Sequence, residues 1–441
     1  MSAVDRADRN QSGPASAKTL QGDSPGGAGA GQLILAFARA LFVNGQATEE
    51  AVKALERLGQ ALGLSVGVMP RWGAVQLRLG DSSAAPVWQT DADPTGVNMV
   101  RVAAAMHAIA QIEARRLAPQ AALKDIAAIS EVPPAPTWLF ALAAAVGSVA
   151  LSVIYGVEHW GGVALIFLSA AAGAWVRRGL AKRSSNLFIQ PFSAALLAGV
   201  IGAVAVHLEL SSSLRLVAVC PCMVLVPGPQ FLNGMMDFIN GRIHLGAARL
   251  VHAFLVVVAI SAGLLLGLSL LGASLPIAPA GRAVPLWQDM LAAGTAVFAF
   301  SVFFSTPMKM LPWPVAVGML AHAVRWVALS VFGMGVAPGA LVAGIVVGLI
   351  LAPISRRRHM PFAAIGFAAV VSLFPGVYLF RMISGLLQIA FGVMPSLDLI
   401  GATLVDGTTA LVVILAMGIG LVVPKMITDH WARSVKGVNE R

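Results

Sequence analysis

The hydrophobic pattern of the chain changes once, and the change divides it in two. From about residue 31 to 130 apolar and polar positions alternate with amphipathic periods; beyond 136 the apolar stretches run for about 20 residues at a time, the length a helix needs to cross bilayer hydrocarbon. In the first region Leu33, Ile34, Phe37, Ala38, Leu41 and Phe42 fall at helical spacing, and Gly45 follows as a stop. Thr48 is placed to cap a second helix, with Glu49 and Glu50 in its first turn and Val52, Leu55, Leu58 and Leu62 as its apolar stripe. Strands are predicted over 64–69, 74–79 and 86–90, since Val75, Leu77 and Leu79 alternate with Gln76 and Arg78. Helices over 97–117 and 120–129 complete a small α+β domain spanning 31–132, and Pro133, Pro134 and Pro136 form a stiff hinge beyond it.

The remainder divides into about ten predicted spans. Five lie near 137–156, 160–176, 188–208, 214–236 and 246–272, and five near 286–304, 312–332, 337–353, 361–381 and 403–424. The fold class is therefore an α-helical polytopic membrane protein with an N-terminal soluble domain, its membrane halves covering 133–272 and 273–430, with a short tail over 431–441. Residues 1–30 mix Ser, Gly, Pro, Asp and Arg around no apolar core, so a disordered tail is expected there and not a cleaved signal peptide. Basic residues gather after alternate spans: Arg177, Arg178, Lys182 and Arg183; Arg242 and Arg249; Lys309; Arg356, Arg357 and Arg358; Lys425, Arg433 and Lys436. All fall on one side if the N-terminus is cytoplasmic, which predicts a bacterial-type inner membrane location with both termini inside.

The fourth span of each half is interrupted by the same pair, Pro227-Gly228 and Pro375-Gly376. An odd number of spans per half turns any repeat upside down, so this predicts a 5+5 inverted repeat, a plan in which broken helices build the substrate site. Proline removes an intrahelical hydrogen bond, and glycine permits close approach or unusual dihedrals. The competing account is that both pairs merely kink helices for packing. Gly263 with Gly267 and Gly344 with Gly348 read as helix-contact pairs.

Composition agrees with a membrane protein: 58% of the 441 residues are hydrophobic and 11% charged, where soluble chains carry about a quarter charged. The net charge of +10 sits in short loops, where it orients helices and does not imply nucleic acid. Cys220 and Cys222, the only cysteines, flank a proline in an apolar run and read as small hydrophobes. No phosphate loop of the GxxxxGK[ST] type occurs, so no ATP motor is visible, and neither a cofactor nor a metal is expected. A membrane enzyme would need chemistry in the soluble domain, whose only histidine is His107 and which holds no cysteine, GxSxG or HExxH.

Candidate site residues cluster around the breaks. Gln230, Asn233 and Asp237 follow the first, Asn233 and Asp237 on one helix face. Asp237 can bind an ammonium or carry a proton, and its competing account is a charge at the membrane edge paired with Arg242. Arg381 follows the second break and can receive a carboxylate, or snorkel to the interface. His322 and Arg325 share a face inside the seventh span, where ionisable groups are costly, and Asp406 in the last span is a second proton-carrier candidate.

The stretch PCMVLVPGPQFLNGMMDFINGRIHLGAARL, residues 221–250, resembles the signature region of the threonine/serine exporter family. LFVNGQATEEAVKALERLGQALGL from Leu41 and RVAAAMHAIAQIEARRLAPQAALKDIAAI from Arg101 are similar to that family's soluble helices, although Asn44, Gln46 and Ala47 depart from its turn. The resemblance implies a secondary exporter of small polar metabolites, threonine or serine, driven by the proton gradient or membrane potential. Its alternatives are a succinate-like dicarboxylate exporter, a passive channel and a membrane enzyme. Partners are then the small-molecule substrate and the lipid bilayer, with a homo-oligomer left open.

Overall fold

The computed structural model describes residues 25–82, 85–207, 214–273, 284–358, 360, 362–391 and 396–439. The soluble domain runs α1 (Pro25–Val43), α2 (Thr48–Ala61), β1 (Val66–Arg71), β2 (Gly73–Leu79), β3 (Val87–Ala92), α3 (Met99–Glu113) and α4 (Pro119–Glu131). The strands form one antiparallel sheet in the order β1-β2-β3, and the predicted stripes of α1 and α2 pack on it through Leu33, Phe37, Leu41, Leu55, Leu58 and Leu77. Gly45 and Gly63 both take positive φ, +88° and +75°, so they end the helices because a side chain there would be strained. Two details differ from expectation. Helix α1 starts at Pro25, inside the stretch whose composition points to a tail; residues 1–24 lie outside the described residues. Ala47, not Thr48, is the N-cap of α2, because the Thr48 hydroxyl is engaged by Arg249.

The membrane part follows as α5 (Thr137–Ile154), α6 (Trp160–Ala181), α7 (Ile189–His207), α8 (Leu214–Met223), α9 (Gly228–Ile239) and α10 (Ile243–Ser269). Then come α11 (Leu286–Phe303), α12 (Pro312–Ser330), α13 (Val336–Arg358), α14 (Phe362–Val370), a 3-10 turn (Val371–Leu373), α15 (Gly376–Phe391) and α16 (Leu397–Asn439). Among the described residues seven helices are long and apolar enough to cross a membrane, and nine spans result if each bent pair counts as one. The chain is thus a multi-pass membrane protein. Helix α12 is the predicted span that falls short on apolar content, since it carries His322 and Arg325. The pieces around Pro227-Gly228 bend by 55° and those around Pro375-Gly376 by 57°. Trp138, Trp160, Trp287 and Trp313 lie exposed in the first turns of their helices, the position of aromatic belts at membrane interfaces.

Helix pairings recur along the chain. Helix α5 packs on α6, α6 on α7, α7 on α10 and α9 on α10; likewise α11 packs on α12, α12 on α13, α13 on α16 and α15 on α16. Across the middle α5 meets α11, α9 meets α14 and α16, and α15 meets α8 and α10. The most extensive pairing of each set is glycine-lined: Gly199 faces Gly267, Gly263 faces the Phe192 backbone, and Gly344 and Gly348 face Gly420. Without side chains at these points the backbones close up, the packing role read from the small-residue spacing.

The soluble domain does not hang free. Leu245 of α10 joins its core, Ala47 joins the membrane core, and the Met99 N–H donates to the Phe304 carbonyl at the end of α11, 3.1 Å. Arg242 and Lys425 reach its acidic side chains, and Arg356 pairs with Asp429 near Lys425. These basic helix ends therefore gather on the soluble-domain side of the bundle.

Candidate functional site

At the first break Pro227 caps α9 and Pro229 lies in its first turn. Pro229 has no N–H, so the Leu225 carbonyl has no helical donor four residues on. Gly228 is required by space: a β-carbon there would clash with the outer edge of the Phe367 ring of α14. Gly376 is different, since a β-carbon would meet Met223 at 3.5 Å and Val226 at 3.8 Å, both ordinary contacts. Neither glycine is among those with positive φ, so close approach, and only at Gly228, is what the sequence argument retains. The breaks touch one another, with Gly228 on Phe367, Gly376 facing Met223 and Val226, and the Phe231 and Phe374 rings 5.3 Å apart.

A cavity of about 210 Å³ lies against the first break, more than ten times the roughly 10–15 Å³ one water needs. Val224, Leu225, Val226 and Pro227 form one wall, and Thr95, Gly96 and Val97 of the soluble domain form another. Its polar lining is Arg177, Arg178, Gln190, Gln230, His252 and Ser305. The Arg177 guanidinium lies 5.5 Å from the Phe303 ring centroid and that of Arg178 4.2 Å from Phe140. An aromatic ring beside each cation favours it while guanidinium N–H groups remain to donate to an anion. Sequence reading gave these arginines only an orienting role; an adjacent arginine pair directly after an apolar run was the one signal available.

The polar line of α9 faces the soluble domain. Gln230 Nε2 donates to the Thr95 carbonyl, 2.9 Å, and Asn233 Nδ2 to the Gly45 carbonyl, 3.3 Å. Asp237, 1% exposed, lies 3.2 Å from the Arg249 Nε of α10, an ion pair by distance though not aligned as a hydrogen bond. Arg249, equally buried, donates to Thr48 Oγ1 at 3.3 Å and lies over the Phe42 ring. The partner of Asp237 is therefore Arg249 and not Arg242, which binds Glu49 at 2.6 Å. Burial raises the Glu49 carboxyl, but hydrogen bonds and charge from Arg242 and Lys53 outweigh it and hold it below the usual carboxylate value. Glu50 completes the contact with Lys425 of α16, 2.7 Å. The start of α2 is thus tied at once to α10 and to α16.

Around the second break, Pro375-Gly376, the groups are paired internally. Arg381 of α15 meets Asp406 of α16, Nε to Oδ2 2.8 Å. His322, fully buried in mid-α12, places Nδ1 2.9 Å from Asp289 Oδ2 of α11 and Nε2 2.7 Å from Ser372 Oγ in the 3-10 turn. Arg325 forms no ion pair among the described residues and lies in electrostatic range of Tyr155, as do Cys220, Tyr378 and Asp289. Asp289 and Ser372 escaped the sequence reading. An acid in the first turn of a span looks like a dipole partner, and a serine before Pro-Gly looks like turn chemistry.

Two family models match the chain in tandem. A family model described as a putative threonine/serine exporter matches residues 32–271, and a second, described as threonine/serine exporter, ThrE, matches residues 289–427. No solved structure matches the chain. The first match takes in nearly all of the soluble domain, the first break and the cavity lining apart from Phe303, Phe304 and Ser305, the second takes in those three residues, the Asp289–His322–Ser372 cluster and the second break, and the first alone covers more than half of the 441 residues; the chain belongs to the threonine/serine exporter family.

Proposed function

We propose that this protein is a secondary active exporter of small zwitterionic metabolites, threonine or serine, at a bacterial-type inner membrane, with the soluble domain and both termini cytoplasmic. The observation that carries the reading is the cavity at the first break, where Arg177 and Arg178 can receive the substrate carboxylate while Gln190, Gln230 and Ser305 supply hydrogen bonds. The interrupted wall adds the Leu225 carbonyl, to which Pro229 can donate no N–H, as an acceptor for the ammonium. Pro227, Gly228, Gln230 and Asn233 thus stand at the substrate path, and Pro375, Gly376, Arg381, His322 and Arg325 at its counterpart. The matched helix pairings and near-equal bends support a 5+5 inverted repeat with α12 as the tenth span.

Export against a gradient needs a driving force. One charge moving down about 100 mV yields roughly 2.3 kcal/mol, enough for an outward gradient of roughly 50-fold. Asp237 and Asp406 are proton-coupling candidates, each engaged by an arginine in this state. The start of α2, bound to Arg242 and Arg249 on one side and Lys425 on the other, gives the soluble domain the role of a clamp that parts when the two membrane sets move.

Uptake of labelled threonine, serine and succinate into proteoliposomes, with and without a proton gradient, tests the proposal. Saturable, gradient-stimulated threonine or serine transport is expected. Preference for succinate would favour the dicarboxylate reading, which the adjacency of Arg177 and Arg178 also suits, and downhill flux without saturation would make the protein a channel. Single cysteines at positions 182 and 357, in a background without Cys220 and Cys222, should label only from inside; external labelling in sealed cells would overturn the orientation.

A further inference from the structure

We propose that His322 is a proton-binding site of the transport cycle, held between the Asp289 carboxylate and the Ser372 hydroxyl so that its occupancy reverses the hydrogen bond at the second break. The inference rests on the secondary-transport reading and assigns its coupling ion to a place that neither arginine-paired aspartate provides.

The three groups come from three elements, α11, α12 and the 3-10 turn that precedes Pro375-Gly376. His322 is fully buried, with Asp289 5% and Ser372 4% exposed, so both ring nitrogens are satisfied inside the protein. The hydrogen-bond inventory then sets the proton positions. An ionised carboxylate only accepts, so Nδ1 must carry a hydrogen toward Asp289 Oδ2. In the neutral ring Nε2 has only a lone pair, and the Ser372 hydroxyl must donate to it. One proton taken up from water goes onto that lone pair. Nε2–H then donates, Ser372 Oγ can only accept, and its own hydrogen must turn to another acceptor in the broken segment. The imidazolium and the Asp289 carboxylate together are neutral, so the cation is balanced where it forms.

Other charges around the site are few. Helix α12 adds Arg325, close to one turn on, and Lys309 lies before it, about 20 Å away along the axis. Helix α14 and the 3-10 turn contain no titratable residue, and in α13 only Arg356, Arg357 and Arg358 at its far end are charged. From α5 and α15 come Tyr155 and Tyr378. Among side chains, histidine is the one whose ordinary titration range covers pH 5 to 8, whereas Asp237 and Asp406 each face an arginine that stays charged throughout it. In this state the first break borders a cavity and His322 is sealed; the proton enters when the second break opens.

The test uses reconstituted full-length protein. With one proton per substrate, a pH gradient of one unit supports an accumulation ratio of about tenfold for threonine. His322→Gln should lose gradient-driven accumulation, its ratio falling to about one, by a larger factor than it loses exchange of labelled threonine at equal pH, and Ser372→Ala should lower the ratio in the same direction. A His322→Gln protein that accumulates like wild type overturns the proposal. Hydrogen–deuterium exchange of residues 371–379 in the wild type, without substrate, provides the second measurement. Protection there should change between pH 5 and pH 8, and protection independent of pH overturns the proposal even where the variant does not fold. Failure of the wild type to exchange threonine, serine or succinate would instead remove the transport reading, while the deuterium measurement still decides the switch.

Discussion

The two Pro-Gly breaks bend their helices almost equally, 55° and 57°, yet they are built from different environments. The first borders a cavity with two arginines and is roofed by the soluble domain, and its polar side chains Gln230, Asn233 and Asp237 reach that domain or the Arg249 that binds it. The second is buried among membrane helices, where Arg381 pairs with Asp406 of α16 and His322 with Asp289 of α11 and with Ser372. Equal covalent geometry therefore does not imply equal function. A proline fixes where hydrogen bonds are lost, while the neighbours decide whether the freed groups meet a ligand space or a packed core.

The largest expected contrast lies in the two ion pairs. Asp237→Asn leaves Arg249 charged, 1% exposed and unpaired, a loss of about 3–5 kcal/mol, and should lower thermal stability and yield in size-exclusion chromatography. Asp406→Asn should cost less, because the Arg381 side chain, 17% exposed, keeps a path to water. Equal melting shifts for the two would break the comparison.

Next come the glycines. Gly228→Leu forces a side chain into the Phe367 ring, an overpacking cost of about 1–3 kcal/mol, and should reduce efflux from preloaded vesicles by at least about tenfold, with partial recovery when Phe367→Ala is added. Gly376→Ala, facing Met223 at 3.5 Å, should transport nearly as wild type. A severe loss from Gly376→Ala with wild-type behaviour of Gly228→Leu would reverse the assignment.

The smallest effect concerns the clamp. Glu49→Gln breaks an ion pair whose members are partly exposed, worth about 0–1 kcal/mol, and should make the 133–136 hinge more sensitive to protease. Because the folded Glu49 carboxyl titrates below its ordinary value of 4.5, its contribution is fully present above that pH and is lost as pH falls through the lower folded value. Wild-type hinge cleavage should therefore rise below about pH 4.5, and Glu49→Gln should flatten that part of the rise.

Much of this was legible from local pattern. The division into an α+β domain and long apolar spans, the helix stop at Gly45, both broken helices and the glycine contacts between helices all follow from residues within a few turns of one another. The limits were equally local. His322 and Arg325 made α12 conspicuous as a site and, by the same charge, deficient as a span. Thr48 fitted a cap by its position, but Arg249, 201 residues away, took its hydroxyl.

By itself the sequence determined which segments are long and apolar enough for a membrane and where two of them break, since transfer from water, helical period and the missing proline N–H are properties of a residue and its near neighbours. Only the tertiary structure decided which charge meets which. Asp237 had Arg242 five residues away and pairs with Arg249, Glu50 binds a lysine 375 residues distant, and Asp289, His322 and Ser372 become one hydrogen-bonded chain. A hydrogen bond needs its partners within about 3 Å in a set direction and an ion pair within about 4 Å, and that condition is created by helices packing, not by their spacing along the chain.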